Sequence, residues 1–143
     1  MLFPSESWLA AVVAAVNRHP DLPAALAGLG RDLAAVIEAD PPALPAPVAA
    51  YARQVGGRIA GVRVLPDPDD LYELEPAYVV RAPYGVWKAL LRGDDPVKAA
   101  LSGRVRVEGD LQALVRRAHY RYVVDAALAS IATEFVDERG GRG

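Results

Sequence analysis

Cysteine is absent from the 143 residues, lysine occurs only at Lys88 and Lys98, and histidine only at His19 and His119. Without thiols the chain makes no disulfide, holds no zinc through thiolates and runs no cysteine chemistry, which fits a reducing cytoplasm. Positive charge is not in excess either. A net charge of -2 and a pI near 5.7 argue against nucleic acid as the main partner, which needs a dominant basic field. The opening MLFPSESW has no basic signal region, and the apolar run from Trp8 to Val16 is too short to span a bilayer, so a soluble cytoplasmic protein is expected. Scarce lysine beside abundant Ala, Arg, Pro and Gly is the composition of a GC-rich prokaryotic genome.

Catalytic groups are equally sparse. The two histidines lie far apart in sequence, and Ser5, Ser7, Ser102 and Ser130 sit in no G-x-S-x-G elbow, so no catalytic residue and no enzyme activity are expected. The carboxylates Asp67, Asp69, Asp70, Glu73 and Glu75 lack the glycine and the spaced oxygens of a calcium loop. They read as a proline-set surface turn, with no metal and no cofactor expected.

What the sequence does contain is well punctuated. Ser5 or Ser7 caps a helix whose apolar residues Trp8, Leu9, Val12, Val13 and Val16 recur at helical spacing until His19-Pro20. Leu22 to Leu29 reads as a second short helix, closed by Gly28 and Gly30. The segment RDLAAVIEAD, residues 31–40, suits either a helix ended at Asp40-Pro41-Pro42 or a half-buried strand in which Leu33, Ala35 and Ile37 alternate, with the strand preferred. Gly56-Gly57 separates two runs of equal length, Val48 to Val55 and Arg58 to Leu65, and predicts a tight antiparallel hairpin. Ala77 to Pro83 is a fourth strand. Pro83 then opens a helix to Arg92 with Gly93 as its stop, Asp95-Pro96 opens another ending at Gly103, and Arg104 to Glu108 alternates as a fifth strand. From Asp110 one long helix is predicted to about Val136.

This order, together with LLRGDDPVKAALSGRVRVEGD, resembles the sterol carrier protein 2 family. The residues that carry the resemblance are Trp87, Leu90, Leu91, Gly93, Pro96, Leu101, Gly103, Val105, Val107, Gly109 and Asp110. It implies a single α+β domain over residues 1–137, followed by a disordered tail over 138–143. The implied sheet has five antiparallel strands with helices packed on one face, and a long helix ends the domain. It also implies an apolar cavity between sheet and helices that holds a fatty acyl chain, a sterol or an isoprenoid lipid. The alternative implied by some bacterial members is a non-catalytic accessory protein of quinone or lipid metabolism, with the same fold and a filled cavity.

The lining expected of such a cavity is Trp87, Leu90, Leu91, Val97, Leu101, Val105 and Val107, joined from the last helix by Tyr120, Val124, Leu128 and Ile131. That helix carries a stripe from Tyr120 to Phe135 and another of Tyr122, Ala126, Ala129 and Thr133. Apolar residues around so wide an arc suit lipid cover or a homodimer contact through Tyr122 to Phe135 equally well. Arg116, Arg117, His119 and Arg121 form a basic turn, read as a solvated face and at most a transient membrane contact. The alanine-rich strands leave room for a ligand only where the facing helices do not close on them.

Overall fold

The structure, a computed structural model, describes residues 1–26, 32–109 and 119–140. A two-residue strand β1 (Leu2–Phe3) precedes helix α1 (Glu6–Arg18). The start of α1 is set by Ser5, whose side chain accepts the Trp8 amide at 3.0 Å. Helix α2 is Leu22–Leu26, and the glycines expected to stop it lie outside the described residues. The preference for a strand holds at β2 (Leu33–Glu38), and the hairpin of β3 (Val48–Val55) and β4 (Arg58–Leu65) has the predicted bounds. Its turn is made by Gly56 and Gly57, at φ +59° and +78°, a conformation that residues with a Cβ resist.

A 3-10 turn at Pro68–Asp70 then enters the one-turn helix α3 (Leu71–Leu74). Strand β5 (Tyr78–Pro83) runs straight into α4 (Tyr84–Leu91). Asp95 caps α5 (Pro96–Leu101) by accepting the Val97 amide at 2.9 Å, and β6 (Arg106–Glu108) follows. The chain ends in α6 (His119–Ala129), β7 (Glu134–Phe135) and α7 (Val136–Gly140).

The sheet runs in the order β4-β3-β2-β5-β6. Its pairs are antiparallel except at the centre, where β2 and β5 are parallel from Leu33 opposite Tyr78 to Glu38 opposite Pro83. The expectation of a wholly antiparallel sheet is corrected there. After the hairpin, the chain crosses the sheet through α3 and returns to the same end from which β2 started, as parallel pairing demands. The amides of Ala77 and Tyr78 both bond to the Asp32 carbonyl, fixing that return.

Strand alternation sends two residue sets to two faces. On one face, Ala34, Val36, Ala49, Tyr51, Leu65 and Val79 pack beneath Leu71 and Leu74 of α3. On the other, Leu33, Ala52 and Tyr78 pack with α1 and α6, while Ile37 and Val48 pack with α1, α4 and the chain end. The larger helices thus share one face, as expected, and among the described residues α3 alone takes the other. At the edge strand β4, Ala60 is an extra residue between Ile59, opposite Gln54, and Gly61, opposite Arg53. This bulge turns Ile59 towards α1. Both backbone groups of Ile59 are held by Asn17, whose Nδ2 donates to the carbonyl at 2.9 Å and whose Oδ1 accepts the amide at 2.9 Å.

The single helix expected from Asp110 to Val136 is not what forms. Residues 110–118 lie outside the described residues, and α6 stops at Ala129, where the Ser130 hydroxyl donates to the Ala127 carbonyl at 2.6 Å. The chain then turns to pair β7 with β1, Phe135 beside Phe3, and the Trp8 indole donates to Thr133 Oγ1 at 3.0 Å. Phe135 therefore enters the core beside Phe3 and Tyr84 instead of extending a helical stripe. Residues 138–140, assigned from sequence to a disordered tail, are part of α7.

Helix α7 is tied to α4. Tyr84 Oη donates to Asp137 at 2.6 Å, Lys88 Nζ meets Asp137 at 2.9 Å and Glu138 at 2.6 Å, and Arg92 reaches Glu138 at 2.5 Å. The Tyr84 bond, then the Lys88 bond, hold the Asp137 carboxyl below its ordinary value. Lys88 and Arg92 do the same for Glu138. Burial first, then the bond to Asp137, raises the Tyr84 hydroxyl, which stays neutral.

Two expectations follow for stability. Asn17→Ala leaves the Ile59 amide and carbonyl without their partner and should cost about 1–3 kcal/mol in urea unfolding. A depressed carboxyl stabilises the fold above its unfolded pKa and loses that contribution as it protonates. The melting temperature should therefore fall as pH drops through and below 3.8, the ordinary value for Asp137. Asp137→Asn should lower the melting temperature at neutral pH and flatten part of the acid decline, as read by thermal scans across pH.

Candidate functional site

The helix-covered face of the sheet contains one row in which no side chain exceeds valine. Register places Val107 opposite Val80, Val80 opposite Ala35, Ala35 opposite Ala50, and Ala50 opposite Val64, one residue from each of the five strands. At about 4.8 Å between strands the row is about 19 Å long. Larger residues flank it: Leu33 and Tyr78 on one side, Ile37 on the other. Helix α1 bridges the two flanks, since Val12 packs with both.

The cover over the row is uneven among the described residues: Ala50 is 5% exposed, and Val80 and Val107 pack against the Ala82, Ala99 and Val105 group under α4 and α5. Ala34 is 4% exposed on the α3 face, yet its neighbour Ala35, on the same central strand and under the larger helices, is only half-buried. Val80 on β5 and Val107 on β6 are half-buried too. An aliphatic floor between bulky walls accommodates an apolar chain, and among the described residues no cluster of His, Cys, Asp or Glu is placed to hold a metal.

The residues expected to line a cavity divide into groups. Trp87, Leu90, Val105 and Val107 converge with Ala82 and Ala99, both 0% exposed, where α4 and α5 lie over β5 and β6. Trp87 is fixed there by its indole, which donates to the Val36 carbonyl at 3.1 Å. Leu91, Leu128 and Ile131 join the second packing group, around Phe3, Trp8 and Tyr84. Val97 is half-buried.

Leu101, expected in the wall, is 71% exposed: it lies on the solvent side of α5, whose Ala99 faces inward. Val124 is 37% exposed, and the buried side of α6 is instead formed by Val123 and Ala127 against α1. The side chain of Tyr120 and the basic turn around Arg116 and Arg117 lie outside what is described. The floor residues Ala35, Ala50, Val64 and Val80 were not singled out from sequence. Their signal was the alanine content of the strands, which acquires a position only once the register is known.

The opposite face carries polar groups. Arg81 donates through Nη2 to the Tyr72 hydroxyl at 2.7 Å, Tyr72 donates to Glu108 at 3.0 Å, and Glu38 receives Arg106. Arg81 Nε stands 3.3 Å from Glu108 Oε2 without hydrogen-bond alignment. The bond to Glu108 raises the Tyr72 hydroxyl above its ordinary value, with burial adding to it. An open groove of about 370 Å³ lies beside this network, lined by Tyr72, Glu75, Pro76, Ala77, Val79, Glu108 and Gly109. Gly109 is at φ +116°, and a Cβ there would stand 2.5 Å from the Ala77 carbonyl, so the strand crosses this point only as glycine. The groove shares no residue with the lining expected from sequence.

No family model matches the chain, and no curated protein does. Solved structures do. A crystal structure of sterol carrier protein 2 is 24% identical with a TM-score of 0.71, covering 87% of this chain and 95% of that one. The conserved hypothetical protein TT1886 from Thermus thermophilus is 22% identical with a TM-score of 0.73, covering 91% and 90%. UbiJ-SCP2, a ubiquinone synthesis protein, is 19% identical at 0.56, covering 89% and 93%. A five-stranded, mostly antiparallel sheet in this order, with its larger helices on one face, gives the chain the fold of sterol carrier protein 2.

Proposed function

We infer that the chain binds a hydrophobic ligand with a long aliphatic portion, a fatty acyl, sterol-like or isoprenoid lipid, laid across the helix-covered face along Val107, Val80, Ala35, Ala50 and Val64. The observation that carries this reading is the half-buried state of Ala35 on the central strand β2 and of Val80 on β5 beside it, a gap in the cover that closes at Ala50, 5% exposed. Trp87 and Leu90 roof the β5–β6 end, and Leu91, Leu128 and Ile131 bound the Ile37 side. Binding of this kind draws on apolar burial alone and uses no catalytic residue, metal or cofactor. The likeness in fold to sterol carrier protein 2 supports it. The accessory reading draws on the weaker likeness to UbiJ-SCP2, at a TM-score of 0.56, and has the row closed by its own helices.

Titration with fluorescent fatty acids tests the reading. Each pair of methylenes buried along the row should raise affinity about fifteenfold, at about 0.8 kcal/mol per methylene, until the row is filled. Absence of saturable binding, with no lipid in solvent extracts of the purified protein, would favour the accessory role.

Ala35→Leu distinguishes an open row from a closed one by the sign of its effect. In an open row the larger side chain occupies ligand space, so probe affinity should fall more than about tenfold while the melting temperature holds or rises. A closed row is overpacked by the same change and should lose about 1–3 kcal/mol of stability.

A further inference from the structure

The sheet face opposite the ligand row is built as a step and a ledge. Helix α3 and the turn before it form the step, seated through Leu71, which is 0% exposed. The far part of the β3–β4 hairpin is the ledge: Arg53, Val55, Arg58, Gly61 and Arg63 are all exposed. A Cβ added at Gly61 would meet no atom within 4 Å, so the space above the ledge is open. Register places Arg53 opposite Gly61, Tyr51 opposite Arg63 and Val55 opposite Arg58, so these side chains share the face that α3 only partly covers.

Step and ledge are opposite in charge. The ledge holds three arginines, and among the described residues none forms an ion pair. Asp32, at the start of β2, is already engaged by the Tyr51 hydroxyl. The step carries Asp67, Asp69, Asp70, Glu73 and Glu75, likewise without an ion pair among the described residues. Each also has an exposed apolar side chain, Val55 at 54% and Tyr72 at 49%.

A uniformly anionic partner, whether membrane or nucleic acid, would meet the arginines together with five carboxylates only about 10–20 Å away on the same face. A partner with the same pattern turned by a two-fold axis satisfies both. We propose that this face pairs with the same face of a second copy of the chain, the acidic step of each resting on the arginine ledge of the other. Such an isologous contact makes every favourable charge pairing twice, and Val55 and Tyr72 supply apolar contact inside a polar rim. The net charge of -2 offers little general repulsion. A contact confined to α3 and the far part of the hairpin lies at the lower limit for a specific interface, so the dimer is weak and salt-sensitive. This surface is independent of the lipid reading and distinct from the helix α6 contact considered from sequence.

Sedimentation equilibrium of the full chain tests it. Wild type should form a dimer at low salt that weakens more than about tenfold in about 0.5 M salt. The pair Arg53→Glu with Arg63→Glu and the pair Asp69→Lys with Glu73→Lys should each give a monomer of unchanged circular dichroism and melting. An equimolar mixture of the two should restore the dimer, since each then offers what the other lost. A wild type monomeric at every concentration would overturn the proposal, as would a dimer indifferent to both reversals or one lost only on Tyr122→Ser. Monomeric wild type that binds anionic vesicles through Arg53 and Arg63 would assign the ledge to a membrane instead.

Discussion

Strand β2 has neighbours on both edges and packing on both faces, and much of the architecture follows from that enclosure. Its edges take the antiparallel β3 and the parallel β5, so the chain leaves through a hairpin and comes back by a crossover. Its faces divide six residues by alternation: Ala34 and Val36 demand a cover on one side, Leu33 and Ile37 on the other. A one-turn helix suffices for the first because Tyr51, Leu65 and Val79 close in from the neighbouring strands and α3 supplies Leu71 and Leu74. The second draws in α1, α4 and α6, and it is there that Ala35 is left half-buried.

That division separates two kinds of surface chemistry. The helix-covered face is aliphatic along its whole row, and its walls are packed at Tyr78 and Ile37. The reverse face carries the charge: Arg81, Glu108, Glu38 and Arg106 near β6, then arginines on the hairpin and carboxylates around α3. An apolar ligand gains nothing from the second face, and a charged partner gains nothing from the first. One sheet therefore separates an aliphatic face from a charged one.

The sequence disclosed what is local. Gly56-Gly57 between equal apolar runs defines a hairpin without help from the rest of the chain, and Asp95-Pro96 defines a helix start in the same way. Pairings that join distant residues left no such mark. Phe3 and Phe135 sit side by side across nearly the whole chain, and nothing in the apolar period from Tyr122 to Phe135 signals that the helix must break for them to meet. Helical phase was misjudged for a related reason: α6 is apolar on several sides, and only the position of α1 selects Val123 and Ala127 over Val124. Of the candidate site, the roof around Trp87, Leu90 and Val105 was legible from helix punctuation. The floor was not, because alanine in a strand is uninformative until register sets it beside another.

The C-terminal segment connects the two levels at which the site is built. A groove whose floor is small residues gives up apolar burial, since a buried Leu contributes about 1.5–3 kcal/mol and Ala much less. The helices above such a floor are held chiefly by what lies at its borders. Helix α4 is held at its outer side by Asp137 and Glu138, which bind Tyr84, Lys88 and Arg92, while Phe135 lies with its ring 5.3 Å from Lys88 Nζ and 4.7 Å from the Arg92 guanidinium. Those contacts add to the core packing of Tyr84, Trp87 and Leu90, so α4 is held both from its outer side and from the sheet beneath it. A wall held from both sides keeps its position whether or not the space beside Ala35 is filled, whereas a wall held only by core packing depends on that volume.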